Sequence, residues 1–107
     1  MNRKANKYLF DILSCIEEIE SYFSGKEITT DLLETDRRTL SAVERNIEII
    51  GEATKRLLGI DPTIGITDAN DIIGARNFIA HDYESVSYII LTRIIIENLP
   101  ILKDEVI

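Results

Sequence analysis

From Asp36 to Leu58 the apolar side chains fall at Leu40, Val43, Ile47, Ile50 and Leu57, a spacing that matches the roughly 3.6-residue turn of an α-helix. This is the longest amphipathic run in the chain, and its buried stripe needs other apolar faces to pack on. Asp36 stands where its carboxylate can cap the first turn. Gly51 and Ala53 lie in the middle. A glycine inside a helix costs about 1 kcal/mol against alanine, so Gly51 predicts that another helix passes close by.

The flanking segments follow the same logic. Residues 6–24 repeat apolar positions at Leu9, Ile12, Leu13, Ile16, Ile19 and Phe23, with Glu17, Glu18 and Glu20 largely opposite. Gly25 is placed to close that helix in the left-handed conformation. Thr29 and Thr30 precede Asp31-Leu32-Leu33-Glu34, a capping pattern that predicts a short helix. Residues 59–68 read as a loop, with isoleucines able to tuck under the bundle. Thr67 or Asp68 then caps a helix containing Ile72, Ile73, Ala75 and Ile79, in which Gly74 again suggests close packing.

Glu84-Ser85-Val86-Ser87 reads as a bend. Beyond it Tyr88, Ile89, Ile90, Leu91, Ile94, Ile95, Ile96 and Leu99 are apolar nearly all round. So many isoleucines suit a strand. Length and the preceding helices favour a buried helix that Pro100 kinks or ends. The expectation is an all-α fold, an up-and-down bundle of four to five helices in one domain, residues 1–107.

Composition adds a partner to this picture. Apolar residues make up 45% of 107 residues, high for a small domain that must clothe itself in polar surface, so an apolar face is expected to be covered by a second copy. Cys15 falls on the apolar face of the first helix and reads as a buried, inert thiol. A single cysteine and a single histidine offer no disulfide and no metal cluster, consistent with a reducing, cytoplasmic setting. No signal-peptide pattern is seen, and the apolar run from Tyr88 is too short to span a bilayer and is interrupted by Arg93. No glycine-rich phosphate loop calls for a cofactor. The net charge of −7 argues against a general nucleic-acid coat, so any RNA contact must be local. Residues 37–60 are the exception, with Arg37, Arg38, Arg45, Lys55 and Arg56 against Glu44, Glu48 and Glu52, although a solvated helix face carries such charges too.

The chemistry concentrates in Arg76-Asn77-Phe78-Ile79-Ala80-His81-Asp82-Tyr83, which holds the only histidine. An imidazole moves protons near neutral pH, a guanidinium grips phosphate through a fixed fork of donors, and a phenol can donate or be modified. At about 100° per residue Arg76 and Tyr83 share a helix face, whereas Arg76 and His81 point about 140° apart. Either the helix breaks, or the arginine stem wraps round, or a second copy completes the site. Phosphodiester cleavage by general acid and base usually needs two proton-transfer groups, and a two-fold dimer of this chain supplies two histidines. The plainer alternatives are a solvated or capping histidine, Arg76 paired with Asp71 or Asp82, and Tyr83 as half-buried packing.

The order Arg76, Asn77, then His81 and Tyr83 resembles the Arg-x4-His-x-Tyr signature of the HEPN superfamily, and in particular HepT toxins of the minimal nucleotidyltransferase toxin–antitoxin pairs. Glu44-Arg45-Asn46-Ile47-Glu48-Ile49-Ile50-Gly51-Glu52-Ala53 also looks like that family's long helix, so the likeness spans essentially the whole chain. Many relatives carry tryptophan near Asn70 and methionine at the place of Ala75, both read as packing positions. The resemblance implies a homodimer or larger homo-oligomer with Arg76 and His81 of both copies lining an interface cleft. It implies a metal-independent endoribonuclease acting on RNA, with Asn77 supporting His81 or phosphate. It further implies a small nucleotidyltransferase antitoxin that attaches AMP to Tyr83. The competing expectation is a non-catalytic, nucleotide-binding or regulatory partner subunit of a nucleotidyltransferase.

Overall fold

The computed structural model describes residues 3–80 and 84–106, and of residues 77, 78, 80 and 84–87 it describes the backbone alone. Every regular element among them is helical. Helix α1 (Arg3–Tyr22) packs along α3 (Arg37–Ile60), which packs in turn along α4 (Ala69–Ala80). The short α2 (Thr30–Thr35) bridges α3 and α5 (Glu84–Arg93). After α5 one wide turn of π-helix (Ile94–Asn98) leads directly into α6 (Leu99–Val106), which rests on α1.

The amphipathic stripes close on one another as their spacing requires. Ile12, Ile16 and Ile19 of α1, Val43, Ile47, Ile50 and Leu57 of α3, and Ile72, Leu91 and Leu102 share one buried cluster. Leu33 of α2 joins them, while Leu9 and Leu40 are partly buried at its margin. Cys15 is buried, and that burial, with Glu18 and Asp11 nearby, pushes its thiol up to about 11. A thiol so placed carries little thiolate at neutral pH.

The ends of the elements show where local chemistry acted. Gly25 has φ +73°, in the left-handed region, and lies in a turn that begins at Phe23, directly after α1 has ended at Tyr22. Thr29 accepts from the Leu32 N–H at 3.2 Å and caps α2. Asp36 accepts from both the N–H and the hydroxyl of Thr39, at 3.2 and 2.8 Å, and caps α3. Helix α3 runs through Gly59 to Ile60, past the expected stop near Leu58, because residue 61 still donates to Leu57. Ile60, Ile64 and Ile66 pack against the core from the loop that follows.

Three further expectations are corrected. Glu84–Ser87 is the first turn of α5 rather than a bend. Pro100 does not end the helical run, because a π turn precedes it and α6 continues through it. A proline has no N–H and its ring collides with the carbonyl four residues back, and here the preceding turn widens, with the Leu99 N–H reaching Ile94 instead. Pro100 then occupies the first turn of α6, where its missing donor costs little. Finally, among the described residues a Cβ built on Gly74 would meet nothing within 4 Å, so none of them crowds it. Asn70 is likewise exposed rather than packed, whereas Ala75 is buried. No helix among the described residues is long and apolar enough to cross a membrane.

Candidate functional site

Helix α4 carries the site, and three contacts fix it. At its start the Asp68 carbonyl accepts from the Ile72 N–H. The Asp68 carboxylate accepts from Asn98 through Oδ2, at 2.9 Å, which ties the start of α4 to the π turn. The preceding Thr67 donates its N–H and hydroxyl to Glu105 of α6. In the middle, Ile72 and Ala75 are buried against the core. The third contact is Gly51, where an added Cβ would lie 3.2 Å from the Ile72 carbonyl oxygen and 3.4 Å from the Arg76 Cβ. The close passage expected at Gly51 is therefore real, and the helix that passes is the one bearing Arg76.

Arg76 leaves that contact outward and is about half exposed. Its Nη1 lies 3.4 Å from Oε2 of Glu52, the residue after Gly51 on α3. The other carboxylate oxygen of Glu52 accepts from Arg56 Nε at 2.9 Å, one turn further along α3. One carboxylate thus joins two guanidiniums. That contact, and hydrogen bonding to Tyr8 of α1, hold the Arg56 guanidinium above its usual range. Exposed pairs of this kind contribute no more than about 1 kcal/mol to stability, so their consequence is orientation.

The described charge partner of Arg76 is one that the sequence did not single out. Its partner is Glu52 and not Asp71, and Asp82 lies outside the described residues. Arg37 and Arg38 begin α3, roughly fourteen residues or about 21 Å of helix before the Arg76 contact, so a single chain does not gather them there. Arg56 is the basic residue that α3 brings to it. Beside this cluster a groove of about 410 Å³ runs between α1 and α3, lined by Lys7, Tyr8, Asp11, Ile49, Glu52 and Arg56 among others. Among the described residues no three His, Cys, Asp or Glu side chains converge to hold a metal ion.

Of the other residues singled out, Asn77 has its backbone in α4, one position after Arg76, while its side chain is outside the described part. His81 and Tyr83 lie outside the described residues. Sequence reasoning missed Glu52 as a neighbour of Arg76. Its spacing of four from Arg56 is legible, but nothing in the sequence couples position 52 to position 76. Asn46, in the same family-like segment, proves structural: it is buried and donates to the Tyr22 hydroxyl and the Ala42 carbonyl, tying α3 to α1.

Comparison with known proteins gives a family match over residues 12–107, to the family described as HepT-like, Ribonuclease HepT-like. A protein of Methanocaldococcus jannaschii named as a candidate RNase is 30% identical over 106 residues, covering 97% of this chain and 94% of the relative. A protein of Thermococcus cleftensis named as a candidate ribonuclease HepT is 33% identical over 109 residues, covering 98% and 94%. No solved structure gives a significant match.

Proposed function

The chain belongs to the HepT-like ribonuclease family, and from that premise we propose that it is a metal-independent endoribonuclease, the toxin of a toxin–antitoxin pair. The observation that carries the reading is the coincidence of family membership with Arg76, a half-exposed guanidinium seated against α3 at the head of the Arg-x4-His-x-Tyr stretch. Two relatives named as candidate ribonucleases add support.

RNA carries its own nucleophile in the ribose 2′-hydroxyl. His81 of one copy takes the proton from that hydroxyl, whose oxygen attacks the adjacent phosphorus. The bond from phosphorus to the 5′-oxygen breaks, leaving a 2′,3′-cyclic phosphate. The protonated His81 of a second copy gives its proton to the departing 5′-oxygen. Arg76 stabilises the charge that builds on the non-bridging oxygens, worth on the order of 3 kcal/mol for a well-placed donor. Asn77 orients the imidazole or holds the phosphate.

Silencing follows from the same geometry of sequence. A small nucleotidyltransferase antitoxin attaches AMP to Tyr83, which on a continuing helix shares a face with Arg76, and the added phosphate takes the place that RNA needs. The homodimer supplies both histidines in this account, and cytoplasmic RNA is the substrate.

The test is cleavage of mixed RNA by purified protein in excess chelator, beside His81→Ala, with intact mass establishing that Tyr83 is unmodified. Wild type is expected to cut and the variant not. If neither cuts, the ribonuclease reading fails, and a non-catalytic partner subunit of a nucleotidyltransferase replaces it.

A further inference from the structure

We propose that Glu52 is a positioning residue for Arg76, turning its guanidinium to one orientation and leaving the remaining N–H groups for phosphate. The inference rests on the reading of Arg76 as the group that meets phosphate charge.

Arginine is ordinarily a poor fixed point, because a long flexible stem separates its charge from the backbone. Here both ends of that stem are held. The Cβ abuts Gly51, where no other residue leaves room for so close a passage of α4. The guanidinium meets the Glu52 carboxylate with Nη1 3.4 Å from Oε2, an ion-pair contact on a half-exposed side chain. Among the described residues Arg76 makes no second ion pair, which leaves the other N–H groups of its five to meet phosphate in this account. The carboxylate itself is not free to swing, since Arg56 holds its second oxygen from the same helix. Two cations around one anion leave the cluster a positive charge, as an anion site requires. A guanidinium already oriented before RNA arrives loses less freedom on binding and is better aligned in the transition state.

The alternative is that Glu52 serves only its i,i+4 pair with Arg56 on an exposed face, and that Arg76 is indifferent to it. The two roles separate through coupling. We would compare wild type, Glu52→Gln, Arg76→Ala and the double variant by steady-state RNA cleavage, and record the Arg76 side-chain Nε–H resonance in ¹⁵N-labelled wild type and Glu52→Gln. Positioning predicts a fall in kcat on the order of tenfold for Glu52→Gln with little change in KM or thermal midpoint. It predicts that the double variant is no slower than Arg76→Ala alone, and that the Arg76 resonance moves when Glu52 is changed. An unmoved resonance overturns the proposal, as does a double variant that loses the product of the two single losses. Should wild type not cleave RNA at all, the ribonuclease reading fails by itself and the resonance alone decides the positioning.

Discussion

Position 51 shows how much one missing methyl can set. An alanine there would gain about 1 kcal/mol of helix propensity. It would also press a Cβ to 3.2 Å from the Ile72 carbonyl oxygen and 3.4 Å from the Arg76 Cβ, backbone and stem that are slow to give. Overpacking of this kind costs about 1–3 kcal/mol. Gly74 is the internal control, one helix over and with nothing among the described residues within 4 Å of its would-be Cβ. Gly74→Ala is expected to stabilise the protein by up to about 1 kcal/mol. Gly51→Ala is expected to fall short of it by the overpacking cost, about 1–3 kcal/mol. Chemical denaturation of both variants measures the difference, and equal shifts would mean that α4 does not pass as closely as described. Thr54 is a contrasting residue on the same helix: its hydroxyl is buried with no partner among the described residues, and the structure offers no functional account of it.

At the scale of elements, the helices are bounded by side chains that reach back to their own first turns. Asp36 is the clearest case, since α2 ends at Thr35 and α3 begins at Arg37 with this one residue between. Its hydrogen bonds from Thr39 favour the ionised carboxylate and hold it below its ordinary value of 3.8. A carboxyl group depressed in the folded state stabilises above its unfolded value, and the gain is lost as the pH falls through the folded one. Asp36→Ala should therefore unfold at a lower temperature than wild type at neutral pH. The gap should narrow on acidification below about pH 4. Thermal melts of both proteins across that range test this, and a gap independent of pH would assign the cap's effect to something other than the carboxylate charge. The π turn before Pro100 belongs at this scale too, because it lets one rod continue where an α-turn would clash.

For the whole molecule, the difficulty is charge. A protein at −7 repels RNA over most of its surface, so binding must come from a small positive region that outweighs the long-range repulsion. Arg76 and Arg56 around Glu52 are the described candidates for such a region, beside a groove in which Lys7 is paired with Asp11. A few phosphate contacts of this kind predict that RNA affinity drops about tenfold or more between roughly 50 and 200 mM salt. A flat response in a filter-binding titration would point away from phosphate recognition. The surface also exposes Phe10, Ile49, Ile89, Ile96 and Ile101, which agrees with an apolar excess that one chain does not bury.

Much of this was legible in the sequence, and for a simple reason. Helical periodicity, the capping side chains of Thr29 and Asp36, and the glycines at 25 and 51 act over a few residues, so the chain states them locally. The order of Arg76, His81 and Tyr83 is legible in the same way, as is the family pattern that accompanies it. What the sequence left open depended on distances between segments far apart in the chain. Gly51 announced a close passage but not which helix would make it, and Gly74 announced one that no described residue makes. The isoleucines after Tyr88 also suited a strand by propensity, and length and the preceding helices favoured the helix that packs on α1, α2 and α4. Only the packing of α4 on α3 brought Glu52 to Arg76 and left Arg37 and Arg38 at the far end of their helix, because charge partners across a bundle are chosen by the axial offset of two rods, which no local pattern encodes.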